Sequence, residues 1–169
     1  MLTIHAADEL RRAWDDPSPV EGGAVAVQGD RVVGVGARSE LEARFPGARV
    51  RHWPGVLGPA RLHEGPLPDA PSARERVHAV LKLGAAAVLA EHAGSPELRA
   101  AAARNHVAVL PSARRTEIVE NGRADLAVFV RDETGSGEEA GSGEEAGSGE
   151  GAGVCVATVC AGRLVHRRR

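Results

Sequence analysis

What most limits the folds open to this chain is how little polypeptide separates its two β-patterned ends. Residues 20–57 and 117–166 alternate small apolar and polar positions between tight-turn residues, whereas residues 58–116 change to a helix-and-strand rhythm. The middle stretch has fewer than 60 residues. That is room for two helices and a few short strands, not for a large enclosed domain.

Within the first end, Leu2–Ile4 reads as a short strand. Ala24–Gln28 and Arg31–Val35 alternate about Gly29-Asp30, a Gly-first two-residue loop that suits a type II′ hairpin. Ser39-Glu40-Leu41-Glu42 has the capping-box pattern and predicts a short helix that Pro46-Gly47 stops. Ala48–Trp53 returns as a strand.

In the middle, Ser72-Ala73-Arg74-Glu75 is a second capping box. It opens a helix with Val77, Val80, Leu81 and Leu83 on its buried stripe and Gly84 at its end. Ala86–Ala90 is an apolar strand, Ser95-Pro96 starts a second helix through Arg104, and Val107–Leu110 is another apolar strand. Strand, helix, strand with continuous apolar strands predicts a parallel βαβ unit. At the far end Asn121-Gly122 marks a turn before Ala124–Val130, and Val154–Cys160 with Arg163–His166 form a last hairpin about Ala161-Gly162. The fold class expected is mixed α+β.

Between those last strands lies GSGEEAGSGEEAGSGEGAG, residues 135–153. Glycine freedom and glutamate repulsion predict a disordered, solvated loop. Flexible glycine-rich backbone fixes ligand geometry at high entropic cost, so the five Glu are not read as a cation site.

Composition narrows function by exclusion. The apolar residues are skewed toward Ala and Val, with two Trp, two Phe and no Tyr, so the core is built from small side chains. A net charge of −2 argues against a nucleic-acid partner held by phosphate neutralisation. The His166–Arg169 cluster reads as a solvated tail. No apolar run approaches the ~18 residues of a membrane span, and the N-terminus lacks a signal pattern, so a cytoplasmic location is expected. Cys155 and Cys160 fall at odd spacing on one strand, which predicts opposite faces and no shared disulfide or metal.

Four phrases taken in order are more specific than any alone: Gly29-Asp-Arg-Val-Val-Gly-Val-Gly36, Pro54-Gly-Val-Leu57, Gly122-Arg-Ala-Asp-Leu-Ala-Val-Phe129 and Val159-Cys-Ala-Gly-Arg-Leu-Val165. Together they resemble the composite, non-barrel domain of metal-dependent amidohydrolases of the imidazolonepropionase-like and aminodeoxyfutalosine deaminase-like kinds. The resemblance implies a small β-sandwich built from both chain ends, residues 1–57 and 117–169, with a (β/α)₈ barrel between them. Such a barrel takes about 200–250 residues, so residues 58–116 are read as its truncated remnant, with a first strand stub near Gly58–Leu62.

Family chemistry, by the same resemblance, uses zinc or iron to make hydroxide from water. The ligands are a His-x-His pair at the end of the first barrel strand, two later His and an Asp. Here the corresponding place reads Arg61-Leu62-His63-Glu64-Gly65, so only His63 matches either imidazole.

Candidates for a rebuilt site are His63, Glu64, His78, Glu91, His92 and His106, of which His63-Glu64 and Glu91-His92 fall at parallel-strand ends, where α/β proteins place ligands. The leading expectation is a catalytically degenerate protein with no cofactor, acting by binding, self-association or docking on another protein subunit. The alternative is a minimal hydrolase of non-peptide C–N bonds holding Zn or Fe at His63, Glu64 and His92. A third reading places a small molecule between the sandwich and the stub.

Overall fold

The computed structural model describes residues 1–131 and 153–168. Apart from Gly153, the loop expected at 135–153 lies outside the described residues. In chain order the elements are β1 (Leu2–Leu10), β2 (Val20–Glu21), β3 (Gly23–Gln28), β4 (Arg31–Ala37), α1 (Arg38–Arg44), β5 (Arg49–Pro59) and β6 (Arg61–His63). There follow α2 (Ala73–Lys82), β7 (Ala85–Leu89), a 3₁₀ turn (Ala90–His92), α3 (Pro96–Arg104), β8 (Ala108–Leu110), β9 (Leu126–Val130), β10 (Val154–Cys160) and β11 (Arg163–Arg167).

Eight strands make one sheet in the order β11-β10-β9-β5-β1-β3-β4, with β2 added on β1. All pairings in it are antiparallel except β1 with β5, which α1 makes possible by carrying the chain back across the sheet. The two ends of this sheet curl toward each other. Segment 121–124 bonds to the β3–β4 turn through Asn121 N to Val32 O (2.8 Å) and Ala124 N to Asp30 O (2.8 Å), and Gly162 N in the β10–β11 turn reaches Ala124 O at 2.9 Å. The curl encloses a core of Leu10, Val25, Val32, Trp53, Leu57, Leu126, Val128 and Val159. A mixed α+β fold with a β-rich composite layer and a parallel remnant is what the structure shows.

Three parallel strands, β6-β7-β8, form the second sheet. Its helices bury Val77, Val80, Leu81, Leu98, Ala101 and Ala102 against Ala86 and Val88, and against Phe129, Cys155 and Cys160 from the outside of the large sheet. One buried polar tie crosses this contact: Thr158 Oγ1 donates to the Leu81 carbonyl at 2.7 Å.

Local chemistry explains most elements. Gly29 has φ 62° and Asp30 stays on the negative side, as a type II′ turn needs. Ser72 and Ser95 cap α2 and α3 by accepting from Glu75 N (3.2 Å) and Leu98 N (3.1 Å).

Four local expectations are corrected. Ser39 lies inside α1, whose first flanking residue is Ala37 with no side-chain cap, because β4 runs straight into the helix. Leu83 is 51% exposed, since α2 ends at Lys82 and Leu83 no longer follows its stripe. Gly58 and Pro59 pair with β9 as the end of β5, so the stub is Arg61–His63. Cys155 and Cys160 face the same core, because a bulge between Cys155 and Ala157 shifts the alternation by one.

The last hairpin turns through Ala161 (φ 48°) and Gly162 (φ 74°), the double left-handed geometry of a type I′ turn. Alanine is a poor resident there. Ala161→Asn is expected to raise stability by roughly 0.5–1 kcal/mol, read as a higher denaturation midpoint with an unchanged slope.

Candidate functional site

The ends of the parallel strands are where the resemblance would put a metal. His63 closes β6, and its Nε2 lies 2.9 Å from the Pro66 carbonyl oxygen. A carbonyl only accepts, so in this contact Nε2 carries a proton and donates it. Glu64 is exposed. In register His63 stands opposite Val88, while Glu91 and His92 belong to the 3₁₀ turn beyond the end of β7. Their mutual contact, His92 Nε2 to Glu91 Oε1, is long at 3.9 Å with Glu91 largely in solvent. His78 is exposed on α2. His106 follows α3 with φ 60°, and its carbonyl accepts from Arg123 and, at 3.2 Å, from Cys160 Sγ.

Among the described residues no group of three or more His, Cys, Asp or Glu is arranged to hold a metal ion. The donor set therefore does not fit the zinc or iron that the fold family implies. Position 61 makes the misfit concrete. The Arg61 guanidinium lies 4.2 Å from the Phe129 ring centroid and 5.2 Å from that of Trp14. Trp14 meets Phe129 edge-on and donates its indole N–H to the Pro59 carbonyl at 2.9 Å. A fixed positive charge thus stands two residues before the one imidazole that matches the resemblance, held by aromatic faces that favour a cation.

Two clefts meet at Arg61. The larger, about 650 Å³, lies between β6 with the end of α2 and the strands β9–β11. A smaller one, about 320 Å³, lies between the parallel sheet and residues 114–125 and contains Arg114, Arg123 and Asp125. Burial pushes the Asp125 carboxyl up, against the opposing pull of the Ala161 N–H and Arg123. The neighbouring Cys160 thiol is pushed up to about 12 by burial and by the Asp125 charge. It is a protonated donor to His106, not a nucleophile.

Sequence reading missed His5. It is 3% exposed on β1, stacked parallel to Trp53, whose indole N–H donates to His5 Nδ1 at 3.2 Å. Burial first, and the Arg51 charge second, lower its pKa from 6.5 to about 4. It is a neutral core acceptor. No local pattern pointed to it, because its partner is 48 residues away.

A model of the imidazolonepropionase-like composite domain of bacteria matches residues 23–48, which span the β3–β4 hairpin and α1. No curated protein matches the chain. Among solved structures, an adenosine deaminase from Xanthomonas campestris with bound zinc is 15% identical over 64% of this chain and 33% of its own, with a TM-score of 0.50. E. coli guanine deaminase is 17% identical over 63% of this chain and 35% of its own, with a TM-score of 0.48. Helicobacter pylori aminofutalosine deaminase is 19% identical over 52% and 27%, with a TM-score of 0.36. The chain thus spans about a third or less of the length of these proteins. The hairpin and helix at residues 23–48 are thus similar to the imidazolonepropionase-like composite domain of bacteria, and the sheet that carries them shares its fold with the matched part of the adenosine deaminase.

Proposed function

We propose that this protein does not hydrolyse C–N bonds and acts instead by binding and by association with a second polypeptide, a second copy of itself being the simplest. The observation that carries the reading is Arg61, a guanidinium seated on Phe129 and Trp14 two residues before His63, with no second imidazole at 61 or 65. A metal brought beside His63 would meet that charge before it met a second ligand.

Association is supported by the shape of the parallel sheet. β6 and β8 are three residues each and, among the described residues, each pairs with β7 alone, so both are edge strands of this sheet. All-parallel sheets are ordinarily covered on both faces and their edges blunted or paired. Here α2 and α3 cover one face, while all three residues of β8 are only half-buried.

Two measurements test the reading. Size-exclusion chromatography with light scattering is expected to give a mass above that of one chain, falling on dilution; a clean monomer across a wide concentration range would count against association. Metal analysis of protein purified without chelator is expected to find well under one equivalent of zinc, iron and manganese, unchanged in His63→Ala and His92→Ala. A full equivalent lost in either variant would restore the minimal hydrolase.

A further inference from the structure

The larger cleft at Arg61 has a charge pattern unlike the rest of the molecule. Arg61, Lys82 and Arg168 line it together with His63 and His166, and among the described residues no carboxylate contributes to its wall. Over the full chain acidic residues outnumber basic ones, for a net charge of −2, so three permanent cations with no carboxylate among the described lining residues are a local reversal. Among the described residues neither Lys82 nor Arg168 has a carboxylate partner, and Arg61 is held by aromatic rings alone.

The crowding is mutual. His166 is held below its ordinary pKa by burial first, and then by the charges of His78, Lys82 and Arg168. Lys82 has a local reason to be where it is, since the last turn of a helix favours a cation. That reason does not extend to Arg61 on β6 or to Arg168 just past β11. Three separate elements converge on one space.

Size and wall chemistry narrow the occupant. A volume of about 650 Å³ is in the range of small-molecule sites. Leu62 and the half-exposed Leu83 give the hollow an apolar side next to its cationic one. A monocarboxylate would leave two of the three charges uncompensated. A phosphate monoester, which carries close to two negative charges at neutral pH, balances them better and accepts several hydrogen bonds from Lys and Arg at once.

We propose that this cleft binds a small phosphate monoester, its phosphate group between Arg61, Lys82 and Arg168 and its organic part against Leu62 and Leu83. The cleft takes its wall from β6 (Arg61, Leu62 and His63), from the end of α2 (Lys82 and Leu83) and from the start of β7 (Ala85). The site goes beyond the proposed association and does not require it: binding and molecular mass are read in separate experiments, so either can fail alone.

Calorimetric titration of the full chain in phosphate-free buffer at low salt tests it, with phenyl phosphate as the probe. Inorganic phosphate, benzoate and a short single-stranded oligonucleotide are the comparison ligands. Saturable binding of phenyl phosphate is expected, weaker with inorganic phosphate, weaker still with benzoate, and diminishing as salt is raised. Lys82→Gln with Arg168→Gln should weaken the phenyl phosphate interaction by about tenfold or more, since charge-assisted hydrogen bonds contribute on that scale. Both side chains are exposed, so the denaturation midpoint should stay where it is, and each single variant should fall between. No saturable binding, equal binding by the double variant, or benzoate equal to phenyl phosphate overturns the proposal. So does an oligonucleotide that binds far more tightly than phenyl phosphate, which would assign the cleft to a nucleic-acid backbone.

Discussion

Gly162→Ala is expected to cost the protein roughly 3 kcal/mol or more. Two penalties act together. Gly162 holds φ 74°, a conformation that costs an L-residue with a Cβ about 1–2 kcal/mol. The added carbon would also stand 1.8 Å from the Gly29 carbonyl oxygen, far inside any tolerable contact, and that neighbour is backbone and cannot swing aside. The two turns that touch here belong to the hairpins at opposite ends of the large sheet, so the substitution pries apart the closure that encloses the main core. Urea denaturation measures it. A loss under about 2 kcal/mol, the scale of turn strain alone, would mean the hairpins are not seated on each other as described.

A second large effect is expected from acid. His5 titrates near 4 in the folded protein and near 6.5 when unfolded. Between those values the unfolded chain binds a proton that the folded chain refuses, so stability rises with pH through that window and falls as pH is lowered. Its contribution is complete above about 6.5 and is lost progressively down to about 4, a total of about 3 kcal/mol at 1.36 kcal/mol per unit. His5→Phe removes the titration and leaves the Trp53 N–H without its acceptor. The variant should therefore be weaker at pH 7 by about 1–3 kcal/mol, yet lose about 2–3 kcal/mol less than the parent on going to pH 4.5. Equal pH slopes for the two proteins would show that His5 is not the group that makes the fold acid-sensitive.

Which parts of this architecture could be read from the chain follows from how local their causes are. The β3–β4 hairpin, the β10–β11 hairpin and the caps of α2 and α3 depend on residues within a few positions of one another, and Gly29-Asp30, Ala161-Gly162, Ser72 and Ser95 announce them. The length of β1 was hidden. His5, Ala6, Asp8 and Glu9 look unlike strand, but β1 is bonded on both sides and buried along its middle, and pairing overrides the weak propensity of Ala and His. β5 likewise runs through Pro54 and Gly55 to Pro59, with Gly55 at φ 87° and its N–H on Asp8 Oδ2 at 2.7 Å.

At the candidate site the sequence showed one imidazole of a pair missing, with Arg61 and Gly65 on either side of His63, but not what holds the arginine. Arg61 owes its placement to Trp14 and Phe129, which only the tertiary fold brings near. The cationic cleft is equally non-local, drawn from β6, the end of α2 and the last residues of the chain. His166 and Arg168, read at first as part of a solvated tail, line its wall.

The place of β5 in the large sheet has a consequence for biosynthesis. One of its sides bonds to β1, which precedes it in the chain, while Val56–Pro59 at its end bond to β9, whose residues follow the whole parallel unit. While the parallel unit is being synthesised, the end of β5 therefore keeps an open edge that β9 has yet to cover. Closure of the large sheet waits for β9 and the hairpin after it, and the interval before that closure is the aggregation-prone one.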